Sequence, residues 1–542
     1  MDRRPRTSPP PVRRIALAIA AVGVIVLAAT ALLGPSGGAP RHAAPHQAAP
    51  RPVAPRPSVA PQPATVTPPR VQAEATVTPG LGRLRIASSF LGFSTEYWGL
   101  PVDARHIALY GRILSLVHVP GAGPFALRIG GDSSDHAFWD PALRDMPDWA
   151  FRLSPDWIAD TGQIVRRNHL RVMIDLNFIT GTPGMAADWA QAAEREFPPH
   201  SIVGFEVGNE PDLYDRDLWT VGIDGTRFPL GVLPQTITPH DYAVRYRQYA
   251  RGLARVAPHV PVYGPALALP NVDRRWISTL LAGPHPHLAG ITVHEYPYSA
   301  CEPVGSAAYP TVAKLLSPQA TTQMATAVGP AVRLAHAHGL PLRLTEFNSV
   351  TCGGVAGVSN TFATALWAPD ALFTLARAGA ASADLHVRAF SVNSPFRFHR
   401  GGVFARPLLY GLVMFTRMLG RDSHLVRVRL HAPAGANLAA WAVTHGSRSA
   451  SVLLLNRGRR SLNVRIRLPR PSSGTATVQR LLAPSARSTR HVTLAGQHLS
   501  RSARWVGRRV VQSVPAQDGS YVIALPHTSG ALVSLPLAER RR

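Results

Sequence analysis

Two glutamates lie at the ends of predicted strands, where a fold of alternating strands and helices would place their side chains in an active site. Glu210 ends the apolar run 202–210 and is followed by Pro211, which cannot continue a strand ladder. Glu346 lies at the end of a second apolar run, 341–347. Hydrolysis of a glycosidic bond needs two carboxylates, because one protonates the leaving oxygen while the other attacks the sugar or activates water. Glu210 and Glu346 are therefore the candidate catalytic pair.

Such a pair requires a fold that brings the ends of two distant strands together. Between residues 91 and 420, short apolar runs alternate with longer helix-like stretches. The strand candidates are 91–98, 125–131, 171–178, 202–210, 261–267, 290–296, 341–347 and 383–390. Eight alternations predict an α/β protein with a (β/α)₈ TIM barrel, whose sites lie at the C-terminal strand ends. In such a barrel, strands four and seven face each other.

An open, doubly wound sheet is the alternative architecture for residues 91–420. Its glycine-rich dinucleotide loop is missing, since Gly130-Gly131-Asp132 has the wrong spacing. From about Leu425 the pattern changes to short strand-like runs separated by turn residues, which predicts a C-terminal antiparallel β-sandwich over 421–542. The segment 71–90 is strand-like, and we expect it to join this sandwich.

The N-terminal region predicts export of the chain. A basic segment, 1–14, precedes an apolar segment, 15–34, and a linker rich in proline and alanine follows at 35–70. The apolar segment is long enough for a transmembrane signal anchor, although a cleaved signal peptide is the alternative. Proline at the density of the linker gives a semi-extended spacer. We expect an extracellular protein, either secreted or anchored to the plasma membrane by its N-terminal helix.

The composition is strongly basic, with 57 Lys and Arg residues against 31 Asp and Glu residues and a net charge of +26. Lys314 is the only lysine, so codon bias toward arginine and a surface that attracts polyanions are both open interpretations. The sequence contains no basic run interleaved with aromatic residues, so nothing in it indicates nucleic-acid binding. The histidines of 284–287 and 336–338 lack a third ligand at diagnostic spacing. We expect no metal and no cofactor.

The two cysteines follow neighbouring strands of the predicted barrel. Cys301 lies just beyond strand six and Cys352 just beyond strand seven, so their loops should lie side by side on one face. An exported protein matures in an oxidising compartment, which favours pairing. We predict a Cys301–Cys352 disulfide, with two free thiols as the alternative.

The residues around the two glutamates resemble a known superfamily. Gly208-Asn209-Glu210-Pro211 and Thr345-Glu346-Phe347 are similar to the corresponding strand ends of the 4/7 superfamily of retaining glycosidases. More narrowly, 127–135 and Val293-His294-Glu295-Tyr296 with Tyr298 resemble the β-glucuronidase and heparanase family. The resemblance extends over about residues 85–535.

The resemblance implies roles for individual residues. Glu210 would be the general acid/base and Glu346 the nucleophile. Asn209 would hydrogen-bond the sugar 2-OH, and Tyr296 or His294 would hydrogen-bond Glu346 and keep it ionised. The substrate-binding candidates are Glu96, Asp132, Ser133, Asn209, His294, Tyr296, Tyr298 and Gly353.

One departure from the family bears on the substrate. The family usually has a tyrosine in the glycine-rich loop after the nucleophile, and the backbone N–H groups of that loop hold a uronate carboxylate. In this chain the loop 349–354 reads Ser-Val-Thr-Cys-Gly-Gly, so the glycines are present but the tyrosine is not. A β-glucuronide, as a small conjugate or an acidic polysaccharide, is the favoured substrate. A neutral xyloside or glucoside is the alternative. A non-catalytic cell-surface carbohydrate-binding protein is the rival class, although such a protein would be expected to lack one carboxylate.

Overall fold

The structure is a computed structural model, and it describes residues 70–81, 83–139, 150–214, 237–285, 287–469 and 474–537. The predicted basic segment, the predicted membrane or signal segment and all but the last residue of the linker lie outside the described residues. Within those ranges no helix combines the length and the apolar character needed to cross a membrane.

The part of the chain from residue 73 to residue 416 contains the barrel. Its strands are β1 (Ala73–Thr78), β2 (Leu84–Ile86), β3 (Leu91–Glu96), β4 (Ala126–Gly130), β5 (Ala137–Phe138), β6 (Phe151–Arg152), β7 (Arg171–Leu176), β8 (Ile202–Val207), β9 (Val262–Leu267), β10 (Leu288–Glu295), β11 (Leu342–Phe347) and β12 (Ser382–His386). The helices are α1 (Leu100–Arg105), α2 (Ile107–Val117), α3 (Pro155–Asn168), α4 (Pro183–Glu196), α5 (Pro239–Val256), α6 (Arg275–Ala282), α7 (Val312–Leu316), α8 (Gln319–Ala337), α9 (Phe362–Ala378) and α10 (Pro407–Thr416).

Eight of these strands close into a parallel barrel in the order β3, β4, β7, β8, β9, β10, β11 and β12. Neighbours in the barrel are also neighbours in the sequence, as expected when a crossover helix returns the chain to the same edge. The predicted (β/α)₈ barrel is confirmed, and each of the eight strand candidates overlaps one barrel strand. The open-sheet alternative is thereby excluded.

Local sequence signals fix where several outer helices begin. Ser154 accepts a hydrogen bond from the Trp157 N–H at the start of α3, and Pro155 occupies the first helical position. Thr238 and Asp241 form a reciprocal capping box at the start of α5. These caps satisfy N–H groups that the first turn of a helix leaves without partners.

The C-terminal part consists of strands. They are β13 (Phe396–His399), β14 (Gly402–Ala405), β15 (Ser423–His431), β16 (Leu438–His445), β17 (Ser449–Asn456), β18 (Leu462–Arg467), β19 (Thr475–Leu482), β20 (Thr493–Leu494), β21 (His498–Leu499), β22 (Trp505–Val506), β23 (Gln512–Pro515), β24 (Ser520–Leu525) and β25 (Ser529–Pro536).

The main sheet folds over a core of its own. Its order is β20-β19-β25-β17-β16-β15-β1-β18-β24. The first half of β15 pairs with β16 and the second half pairs with β1, so the strand passes from one layer to the other. Val464 and Ile523 from one layer share a hydrophobic cluster with Val452 and Val533 from the other. The pairs along this order are antiparallel except β1 with β18, which is parallel.

A buried charged contact joins the sandwich to the barrel. Asp370 of α9 accepts a hydrogen bond from the Trp441 indole N–H at 2.7 Å and forms an ion pair with Arg457 at 2.5 Å. Because all three side chains are buried, loss of one partner would leave an uncompensated polar group.

Candidate active site

Glu210 lies directly beyond β8 in an unusual backbone conformation. Its φ is +49°, in the left-handed region, and its N–H donates to the Ala266 carbonyl of β9. Gly208 also has a positive φ, and a Cβ there would lie 2.9 Å from that of Phe178. Pro211 then begins a short 3₁₀ turn. A non-glycine residue held at positive φ is worth a functional explanation, and here it brings the carboxylate to the barrel rim.

Glu346 lies near the C-terminal end of β11, on the same face as Glu210. One oxygen of each carboxylate and the Nδ1 of His294 all lie within 4.8 Å of one another. The Glu346 side chain is 7% exposed, whereas that of Glu210 is 21% exposed. The barrel therefore brings together two carboxylates that are 136 residues apart in the sequence and differ in their access to solvent.

The surroundings of Glu346 favour its ionised form. Oε1 accepts from Arg128 Nη1 at 2.5 Å, and Oε2 accepts from the Tyr296 hydroxyl at 2.8 Å. Burial by itself would raise the pKa of the carboxyl group. His386, His294 and Arg128 outweigh burial electrostatically, and the Tyr296 hydrogen bond adds to their effect. The pKa of Glu346 is therefore held well below its usual range.

His294 interacts mainly with Glu210. Its Nδ1 lies 2.7 Å from Glu210 Oε1 and 3.8 Å from Glu346 Oε2. Burial disfavours the charged imidazolium, but the two carboxylates outweigh burial and raise the pKa of His294 above its ordinary value. Tyr296 and His294 were the two expected hydrogen-bond partners of Glu346, and in the structure Tyr296 makes this hydrogen bond.

Arg128 of β4 lies at the centre of a buried charge network and was not identified as a site residue from the sequence. Besides Glu346, its guanidinium contacts Asp175 of β7 at 2.9 Å and Glu206 of β8 at 2.7 Å, and it donates to Asn209 Oδ1 at 3.0 Å. The arginine is completely buried. A charged residue within the otherwise apolar run 125–131 was the available signal.

A second group of charges lies at the ends of β3 and β12. Arg388 lies 3.4 Å from Glu96 and 3.3 Å from Asp132, and His386 lies 3.3 Å from Glu96 and 3.4 Å from Glu346. Desolvation raises the pKa of Asp132 to about 7, and the Arg388 charge acts against it. Both Arg388 and His386 were absent from the sequence predictions, because strand eight carried no recognised motif.

Two further substrate-binding candidates, Ser133 and Tyr298, are buried. Ser133 is fully buried, its N–H donates to Glu96, and its hydroxyl donates to Gly130 and accepts from the Tyr97 N–H. Tyr298 is also buried, and its hydroxyl donates to the Lys314 carbonyl. The structure places both as supports for the neighbouring loops, so their direct contact with a substrate stays a prediction.

The Cys301–Cys352 disulfide is confirmed, with Cα atoms 6.0 Å apart. Cys352, Gly353 and Gly354 have successive positive φ values, and the Gly353 carbonyl accepts hydrogen bonds from two N–H groups of the loop after β12. A Cβ on Gly354 would lie 2.8 Å from the Ser359 hydroxyl, so only glycine fits there. The loop is thus fixed to both neighbouring strand ends.

The carboxylates and His294 have ligand atoms close enough to suggest a metal site. Both Glu346 oxygens, however, already accept hydrogen bonds, one of them from a buried guanidinium. A divalent cation would have to displace that contact and lie beside a positive charge. The donor set therefore suits proton transfer and nucleophilic attack better than metal binding.

Comparisons with known proteins show which families and folds this chain is similar to. The model of the glycosyl hydrolase family 79 C-terminal beta domain matches residues 429–532. A curated protein of Aspergillus niger named beta-glucuronidase is 24% identical over 515 residues, which cover 83% of this chain and 92% of that protein.

Solved structures share the fold. A 4-O-α-L-rhamnosyl-β-D-glucuronidase from Fusarium oxysporum 12S matches with a TM-score of 0.67 at 17% identity, over 85% of this chain and 100% of that one. An α-L-arabinofuranosidase from Thermotoga maritima matches with a TM-score of 0.61 at 15% identity, over 86% of this chain and 100% of that one. At such identities the likeness concerns the fold alone. The family match over the C-terminal strands and the curated relative show that this chain is similar to glycoside hydrolases of the β-glucuronidase family.

Proposed function

We propose that the protein is a retaining β-glucuronidase. The observation that carries the mechanism is the separation of the two carboxylates, whose nearest described oxygens lie within 4.8 Å of each other. Retaining glycosidases have carboxyl groups about 5–5.5 Å apart, whereas inverting enzymes need about 6.5–9.5 Å to admit a water molecule. The short separation leaves room for the sugar carbon but none for that water.

In the proposed mechanism the reaction has two displacements. Glu346, ionised and oriented by Arg128 and Tyr296, attacks the anomeric carbon while Glu210 gives its proton to the leaving oxygen. The bond to the aglycone breaks and a glycosyl ester forms on Glu346. Glu210, now ionised, takes a proton from water, which attacks the same carbon and releases the sugar and the free Glu346 carboxylate.

Recognition of a uronate is supported by the loop after β11. The Thr351 N–H donates to Tyr298 and the Gly354 N–H donates to Thr351, whereas no hydrogen bond between described residues uses the N–H of Cys352 or Gly353. Successive N–H groups in this conformation can form an anion-binding concavity. The Arg388 guanidinium, 26% exposed, adds positive charge at the same rim.

Substrate preference tests this proposal. A uronate differs from its neutral analogue by one carboxylate, and a site built to pair that group discriminates strongly. We expect kcat/KM for nitrophenyl β-glucuronide to exceed that for the matching β-glucoside and β-xyloside by roughly 10²-fold or more. Equal or greater activity on a neutral glycoside would refute the uronate assignment and favour the neutral-sugar alternative.

A disulfide variant then tests the loop itself. Cys352→Ser should lower glucuronide turnover, because without the disulfide the loop 349–354 must be ordered when the substrate binds. Circular dichroism of the variant should still show an intact barrel. Chemical reduction of the wild type should reproduce the effect, and reduction of the variant should add nothing.

The pH profile of the enzyme should depend on His294. The pKa of His294 is raised in the folded protein. Its imidazolium is therefore fully present below the ordinary histidine pKa, and it is lost as pH rises through the pKa that His294 has in the folded protein. His294 Nδ1 lies 2.7 Å from Glu210 Oε1, so the imidazolium holds a proton beside the leaving oxygen and couples the profile to its own titration. In His294→Asn no second group holds that proton, so the alkaline limb of kcat/KM for phenyl β-glucuronide should move to lower pH. The exposed His338→Asn should leave the profile unchanged, and an unmoved limb in His294→Asn would contradict the coupling.

Export is part of the proposal. The disulfide supports it, because such bonds persist in oxidising compartments. Fractionation of the producing cells, with detection of activity in medium, membrane and cytoplasm, tests whether the protein is released, anchored or retained.

A further inference from the structure

The positive charge of the chain is divided unevenly between its folded parts. Residues 91–420 hold 26 basic and 26 acidic side chains, whereas residues 421–536 hold 17 arginines and two aspartates. A codon preference for arginine exchanges lysine for arginine, but it does not deplete acids from one part of the chain only. The excess in the sandwich therefore needs a cause of its own.

Part of this excess lies on the outer face of three adjoining strands, β15, β1 and β18. On β15, Arg427 and Arg429 are exposed, while Val428 between them packs against the sandwich core. On β18, Arg465 and Arg467 alternate with core residues in the same way, and Arg467 is exposed. These four arginines define what we call the cationic face.

The strand register sets the spacing of the charges. Thr76 of β1 is paired with Arg429 on one side and with Arg467 on the other, so these two arginines are two strand spacings, or about 10 Å, apart. Arg427 and Arg429 are two residues apart on one strand, about 7 Å. The register thus fixes the spacing of the backbone positions from which the grid of guanidinium groups extends.

Acidic side chains hardly neutralise this grid. Glu74 of β1 forms an ion pair with Arg467 at 2.8 Å, and β15, β18 and β24 contain no acidic residue. Among the described residues, Arg427 and Arg429 form no ion pair with an acidic partner. Neighbouring like charges without counter-charges repel each other, which is a cost that a bound polyanion would relieve.

We propose that the cationic face binds an acidic polysaccharide, with carboxylate or sulfate groups that recur along the chain. Guanidinium groups pair with such anions through two parallel hydrogen bonds, and several weak contacts along one chain add up. A polysaccharide, rather than another polyanion, fits a surface attached to a glycoside hydrolase barrel. The surface would hold the enzyme on its polymer whichever glycosidic bond the barrel cleaves, so the proposal goes beyond the proposed function.

The test measures binding without catalysis. Full-length protein carrying Glu346→Gln is applied to immobilised polygalacturonate and, in parallel, to neutral dextran. The triple variant Arg427→Gln, Arg429→Gln and Arg467→Gln is compared with a control of equal charge change on the barrel helices, Arg167→Gln, Arg251→Gln and Arg255→Gln.

We expect the triple variant to bind polygalacturonate roughly tenfold or more weakly than the parent, since three guanidinium–carboxylate contacts are lost together. The barrel control should bind polygalacturonate like the parent, and none of the proteins should bind dextran. Binding to polygalacturonate should weaken as the salt concentration rises. In the active background the triple variant should hydrolyse a small glycoside normally.

Equal losses in the two triple variants would overturn the proposal, because net charge alone would then explain binding. Tighter binding of the parent to phosphatidylserine vesicles or duplex DNA than to polygalacturonate would also overturn it, since the partner would then be another polyanion.

Discussion

Replacing Glu346 by alanine is expected to lower kcat by roughly 10⁵-fold or more on every glycoside, the scale seen when a nucleophile is deleted. Both oxygens of Glu346 are held by donors beside Glu210, and the alanine variant has no carboxylate there to make the attack. Small nucleophiles such as azide or formate should partly restore turnover through the cavity left behind. Proton NMR of wild-type hydrolysis should show the β-anomer of the sugar first.

Glu210→Ala should behave differently, because it removes the proposed proton donor and leaves the proposed nucleophile in place. Activity on a dinitrophenyl glycoside, whose leaving group needs no proton, should largely survive the first step, whereas activity on a phenyl glycoside should be lost. The exposed Glu302→Ala, on the loop after β10, is the matched control and should retain wild-type rates. Uniform loss across leaving groups in Glu210→Ala, or initial release of the α-anomer by the wild type, would contradict the assigned roles.

The second large effect is expected on stability. Arg128→Met should lower the free energy of unfolding by about 3–5 kcal/mol, because Asp175, Glu206 and Glu346 would be left as buried carboxylates without their common counter-charge. It should also raise the pKa of Glu346 and move the acid limb of kcat/KM to higher pH, since Arg128 lowers that pKa in the wild type. Denaturant unfolding and pH profiles measure the two effects.

Two further variants keep this prediction decisive. Arg343→Met removes another arginine from a barrel strand, one that stacks on Tyr263 away from the catalytic carboxylates, and should cost much less stability. Arg128→Lys keeps the charge but loses the planar fork, so it should fold while its kcat stays below that of the wild type. Equal stability losses at positions 128 and 343, with the acid limb unchanged, would show that the network does not organise Glu346.

The sequence by itself determined the features that depend on local pattern. Alternating apolar runs and helical stretches predicted all eight barrel strands, and the pairs Ser154-Pro155 and Thr238-Pro239 mark the starts of α3 and α5. Glycine and proline around Glu210 marked the end of β8, because proline cannot donate to a ladder. Two cysteines after consecutive strands predicted their pairing. Each of these signals extends over a few residues or one strand–helix unit.

Only the tertiary structure decided which polar groups meet. Arg128, Asp175 and Glu206 come from three strands, and nothing in the sequence around Arg128 indicates that its guanidinium faces those carboxylates. The same holds for Tyr296 and His294, because only the structure shows that Tyr296 donates to Glu346 while His294 contacts Glu210. The cationic face depends on the register of β15, β1 and β18, which a shift of one residue would invert. Contacts of this kind depend on barrel closure and strand register, which involve the whole chain, and local pattern does not encode them.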